Sequence, residues 1–125
     1  MEVQELTAAP SGVSGNLVLR KALQRAGEEL GLSAQETAQA IGKSRTFFEQ
    51  ARAHSRIDLH TQRMIALMLR LHRSLSALVG DDTGLMRHWF NTANRHTGGL
   101  PREQLQDPEQ LVELVHYLDA MRGRP

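Results

Sequence analysis

From Asn16 onward the apolar residues of this chain recur at intervals of three and four, in runs closed by residues that start or stop helices. Leu19, Ala22, Leu23, Ala26 and Leu30 form the first run, and Gly31 followed by Leu32 supplies a left-handed stop with an apolar closing contact. Ser33 to Glu36 spell a capping box, which starts a second helix that Gly42 ends after about two turns. Ser44 can cap a third, running through Ala53. Asp58 caps a longer helix from about Leu59 to Val79 with two apolar stripes, one through Met64, Met68, Leu71, Leu75 and Leu78, the other through Ile65, Leu69 and Val79. Such a helix has two neighbours, either the domain's own core and a dimer mate or two partners within one subunit. Gly80 to Thr83 turn the chain into a short helix holding Leu85, Met86, Trp89 and Phe90, and Leu100-Pro101 opens another brief turn. Asp107-Pro108 repeats the cap-and-proline device ahead of a last helix with Leu111, Leu114, Val115, Leu118 and Met121 on one face, ending at Gly123. Residues 1–15, rich in Gly, Ser and Ala with no periodic apolar pattern, are expected to form a flexible arm.

The expected fold is therefore all-α, a helical bundle. Composition agrees, because aromatics are only 4% and the apolar content comes from Leu, Ala, Val and Met. With 125 residues the chain has room for one domain, or two small ones sharing a core, which excludes a tandem enzyme with separate cofactor and substrate domains. Cysteine is absent, so disulfides, thiolate metal sites and Cys nucleophiles are excluded. No apolar run approaches the ~18 residues of a membrane span and the start lacks a signal-peptide pattern, so no membrane partner and a cytoplasmic location are expected.

A net charge of +1 conceals an uneven distribution. Residues 40–79 hold Lys43, Arg45, Arg52, Arg56, Arg63, Arg70 and Arg73 against Glu49 and Asp58 alone, while both flanks are net acidic. A basic middle of this kind favours contact with a phosphate backbone more than the total suggests, although a solvated helix face explains it as well.

Within that segment Ala38, Gly42, Phe48 and Ala51 stand at a definite spacing: a small residue, a glycine four later, apolar residues ten and thirteen later. Ala38 allows a close crossing, Gly42 a sharp turn, and Ile41, Phe48 and Ala51 bury an inner face. The segment resembles the helix-turn-helix of the Xre and Cro repressor class, with Ser44-Arg45-Thr46 opening the recognition helix, and departs from it at Thr37 and Lys43. That geometry implies operator DNA as a partner, with Arg45 and Gln50 reading base edges, Thr46 at a phosphate or thymine methyl, and Gln35 and Lys43 anchoring the backbone. Ser44 and Arg52 complete this candidate set. The competing reading is an ordinary helical hairpin without DNA binding.

After Gly84 come Trp89, Asn94, Gly98-Gly99, Pro101 and Leu105, then a helix with Val112, Val115 and Leu118, and Gly123. Trp89 and Phe90 are expected to fill a small satellite core, Asn94 to satisfy loop backbone groups, and the glycine pair to supply backbone angles denied to other residues. This order of landmarks resembles the toxin-binding domain of the Xre/MbcA/ParS antitoxins, departing from it at Ala93, where proline commonly stands, and at Thr97, where an apolar residue does. The resemblance implies an antitoxin that docks on a RES-class, NAD-consuming toxin or a related ADP-ribosylating toxin, blocking its active site or approach. Trp89, Asn94, Arg95, Gly98, Gly99 and Pro101 would form the contact set, with Arg122 and Arg124 in a terminal reaching element. It also implies self-repression of the operon as a homodimer, dividing the chain into an arm (1–15), a DNA-binding and dimerisation region (16–79) and a toxin-binding domain (80–125). The main rival is a stand-alone helix-turn-helix regulator.

Catalysis and cofactors are not expected. Asp82-Thr83-Gly84 spells an aspartic-protease triplet, but that chemistry needs two carboxylates sharing a proton, and helix capping explains the triplet. The six histidines (His54, His60, His72, His88, His96, His116) show no metal-ligand spacing, and Asp119 with His116 reads as a helix-surface pair. Gly98-Gly99 lacks the lysine and strand of a phosphate loop.

Overall fold

The computed structural model describes residues 12–49 and 56–123. The expectations for residues 1–11, for Gln50, Ala51, Arg52, Ala53 and His54, and for Arg124 and Pro125 lie outside the described residues. The described residues form seven helices: α1 (Gly12–Leu30), α2 (Ala34–Ala40), α3 (Thr46–Glu49), α4 (Leu59–Leu78), α5 (Thr83–Phe90), α6 (Pro101–Gln104) and α7 (Pro108–Met121). Among the described residues there is no named strand, only an isolated antiparallel bridge between Asn94 and Gly99.

Most helix boundaries follow from local chemistry. Gly31 takes the left-handed conformation (φ 83°), and the Leu32 amide donates to the Gly27 carbonyl at 2.8 Å while Leu32 itself is buried. The capping box is complete, with the Glu36 amide donating to Ser33 Oγ and the Ser33 amide to Glu36 Oε1. Asp58 and Asp82 cap α4 and α5 by accepting from the amides of Thr61 and Leu85. Two expectations need correction. Helix α1 begins at Gly12, a turn before Asn16, because Gly15 and Asn16 are buried and tertiary packing overrides the weak helix propensity of that stretch. Asp107 occupies the cap position of α7 without a side-chain cap bond; its Oδ2 accepts from Gln110 Nε2 instead, and Pro108 alone marks the helix start.

The long α4 packs between α1 and α7, and α5 lies against α1 and α4. Both stripes of α4 thus have neighbours within the chain: Met64, Ile65, Met68, Leu71 and Leu75 are buried, and Leu69 and Val79 are half-buried. One hydrophobic core runs from Leu23 and Leu30 through Ile41, Phe47 and the α4 residues to Phe90, Leu105, Leu114 and Leu118. Phe90 belongs to this main core, not to a satellite cluster, because Met86 and Phe90 form the inward stripe of α5.

The α2–turn–α3 unit has the expected glycine turn, with Gly42 at φ 79° and the Lys43 amide donating to the Ala38 carbonyl. Its apolar anchor differs from expectation. Phe47 is buried, whereas Phe48 is only half-buried against it, since the first turn of α3 points Phe47 toward α1. There Arg20 lies 4.5 Å over the Phe47 ring and donates from Nε to the Phe47 carbonyl. Thr37, one of the departures from the repressor pattern, is matched by Gly27: a Cβ on Gly27 would stand 2.2 Å from Thr37 Oγ1, so α1 gives up a side chain where α2 carries a branched one.

Candidate functional site

The loop after α5 is shaped by one side chain. Asn94 Oδ1 accepts from the amides of His96 and Thr97 at 2.8 and 3.3 Å, while its backbone amide donates to the Gly99 carbonyl and its carbonyl accepts from Gly98. Gly98 adopts φ 83°, which closes the loop back on Asn94. Gln104 Nε2 then ties the Thr97 carbonyl to α6 at 2.6 Å. A Cβ on Gly99 would come 3.1 Å from that amide nitrogen. Asn94 and the glycine pair therefore shape the loop, and Pro101 is buried beneath it as the first residue of α6.

Along one flank of this loop runs an open groove of about 440 Å³, lined by Leu78, Val79, Leu85, His88, Trp89, Thr92, Ala93, Asn94 and Arg95. Helix α5 divides its apolar residues between two faces. Met86 and Phe90 enter the core, while Leu85, His88 and Trp89 face the groove, with Thr92 just past the helix end beside them. Leu85 is 52% exposed and Leu78 38% exposed, an outlay of apolar surface that folding alone does not require. Arg95, exposed and without an ion-pair partner among the described residues, stands at the rim. Trp89 is half-buried and packs on the core, so it forms the wall of the groove and not a satellite core.

Of the expected contact residues, Trp89, Asn94 and Arg95 meet at this groove, Gly98 and Gly99 shape its loop, and Arg122 lies elsewhere. Arg122 Nη1 donates to Ser74 Oγ at 3.0 Å, and the buried Ser74 donates to Asp119 Oδ1 at 2.8 Å. Asp119 also pairs with Arg70, so both Ser74 and Arg70 hold it from α4. Sequence reasoning missed Leu78, Val79, Leu85, His88, Thr92 and Ala93 as groove residues; the second stripe on α5 was the available signal for Leu85 and His88, and the apolar residues at the end of α4 for Leu78 and Val79.

A second seam joins the loop to the helix-turn-helix unit. Arg102 on α6 donates to both carboxylate oxygens of Glu36 at 2.9 and 2.8 Å, to the Gly31 carbonyl and to Asn91 Oδ1. Gln106 Nε2 reaches the Glu36 carbonyl, and Arg87 donates to the carbonyls of Glu28 and Glu29. The Arg102 guanidinium, together with the Ser33 amide, lowers the Glu36 carboxyl to about 2 from 4.5. Because that pKa is depressed by folding, the stability contributed by Glu36 is full above about pH 4.5 and is lost as pH falls toward about 2. Melting temperature measured across this window should fall less steeply in Glu36→Gln than in the parent chain, and parallel curves would remove Glu36 from the acid response.

Gln35 at the start of α2, and Lys43, Ser44, Arg45 and Thr46 around the turn and the start of α3, are all exposed. Ser44 and Thr46 share a 2.8 Å hydroxyl contact, and Arg45 lies 3.6 Å from Glu49 one turn on, a solvated pair that a stronger anion can displace. No three His, Cys, Asp or Glu residues among those described gather as a metal site. His72 bonds Glu29 at 2.6 Å, and His60, His88, His96 and His116 are exposed. No helix among the described residues is long and apolar enough to cross a membrane.

Residues 74–124, which build the end of α4, the groove, the loop and α7, match the family model of the antitoxin Xre/MbcA/ParS C-terminal toxin-binding domain. No curated protein matches the chain.

Proposed function

We propose that the chain, whose residues 74–124 match the toxin-binding domain of the Xre/MbcA/ParS antitoxins, is an antitoxin of that kind and neutralises a RES-class, NAD-consuming toxin by docking the groove at Leu78–Arg95 onto it. The observation that carries the reading is the coincidence of the matched segment with an apolar groove whose wall packs on the hydrophobic core. Leu78, Leu85 and Trp89 offer desolvation energy and Arg95 offers a rim charge for an acidic group, the division between core and rim expected of a protein interface. Held on the toxin, this face would obstruct the active site or its approach.

In the same reading the α2–turn–α3 unit binds the operator of its own operon as a homodimer in the cytoplasm. The exposed Lys43–Thr46 segment and the basic middle of the chain support this. Coexpression with the product of the adjacent reading frame should yield a copurifying complex in which NAD consumption is suppressed. A neighbouring enzyme that neither copurifies nor loses activity would contradict the reading. Arg45→Ala should weaken operator binding by about 1 to 3 kcal/mol and relax base selectivity, measured by fluorescence anisotropy on operator and scrambled duplexes. Unchanged affinity would remove Arg45 from base readout.

A further inference from the structure

The other flank of the 94–99 loop faces α7 across a separate pocket of about 230 Å³, walled by His96, Thr97, Gln104, Gln110, Glu113 and Tyr117. Three of these residues carry acceptor oxygens that the fold leaves unused. Gln104 is 8% exposed; its Nε2 donates to the Thr97 carbonyl, which fixes the amide orientation, and its Oε1 accepts from nothing. The Glu113 carboxylate and the Tyr117 hydroxyl have no hydrogen-bond or ion-pair partner among the described residues. The rings of His96 and Tyr117 stack at 6.1 Å with planes 17° apart, and both residues line the pocket.

A pocket with unused acceptors, one free carboxylate and two aromatic residues in its lining selects a donor-rich cation. A divalent metal does not fit, because no second carboxylate joins Glu113. A planar guanidinium does, since it pairs with a carboxylate and lies against aromatic rings at once. We propose that this pocket receives an arginine side chain of the polypeptide that occupies the neighbouring groove. The two concavities share one loop, with Asn94 and Arg95 lining the groove and His96 and Thr97 the pocket, so an occupant of the groove lies within reach. The identity of that polypeptide as the toxin rests on the function proposed above, whereas the guanidinium chemistry does not.

Two measurements separate these levels. N-acetyl-arginine amide titrated into the full chain should shift the His96 and Tyr117 ring resonances saturably, and N-acetyl-norleucine amide should not. Glu113→Gln, at an exposed and unpaired position, should weaken that binding at least tenfold with an unchanged melting temperature. Equal shifts with both amides, or no loss in Glu113→Gln, would overturn the pocket. In the toxin complex the same substitution should raise Kd about tenfold or more. Full toxin affinity in Glu113→Gln would overturn the arginine docking while leaving the antitoxin reading intact. A toxin that ignores the parent chain altogether would instead sink that reading, and with it the assignment of the arginine to a toxin.

Discussion

Leu85→Glu is expected to leave the fold standing and to weaken toxin binding by about 2 to 4 kcal/mol, roughly 30-fold to 1000-fold in Kd. Leu85 is the third residue of α5 after its Asp82 cap, a position at which glutamate is a common helix-starting residue, and its side chain is half in solvent. The substitution therefore removes little folding energy. In the docked state it replaces an apolar anchor with a carboxylate that must be stripped of water. Calorimetric titration of parent and variant against the toxin, with thermal melts of both, separates the two effects. A variant that melts with the parent and binds equally well would show that the groove is not the contact surface.

Phe90→Ala should have the largest effect on stability, about 3 to 5 kcal/mol. Phe90 is fully buried one position along α5 from Trp89, in a core that runs from α1 to α7. With a typical domain stability of about 5 to 15 kcal/mol, a loss of this size lowers the melting temperature by about 10 to 25 °C. Because that core is continuous, the helix-turn-helix unit and the toxin-binding segment should lose structure together in one transition, read by hydrogen exchange at Leu23 and Leu118 alike. Persistence of the α1–α4 amides after loss of those in α7 would show two separately folding parts.

Trp89 and Phe90 also show how far the sequence could be read. Adjacent residues on a helix point about 100° apart, so an apolar pair at 85/89 beside another at 86/90 announces two faces. Periodicity does not say which face is covered, and the structure gives 86/90 to the core and 85/89 to the groove. Phe47 and Phe48 posed the same ambiguity, decided by the approach of Arg20 from α1. Caps and stops were legible because their chemistry is local: Ser33 with Glu36, Asp58, Asp82 and Gly31 act within a few residues of themselves. Asn94 was legible for the same reason. Contacts between distant segments were not. Nothing local to Arg102 points to Glu36, 66 positions away, nor Arg122 to Ser74, 48 away. The Gly27–Thr37 crossing could be suspected only from two oddities in different helices.

The most direct measurement of the central claim is hydrogen–deuterium exchange of the full chain alone and bound to its toxin. Slowed exchange concentrated in α5 and in the loop from Asn91 to Gly99, with the exposed turn around Lys43 unchanged, is the predicted result. Protection confined to α2 and α3, with the loop exchanging as it does in the free chain, would contradict it.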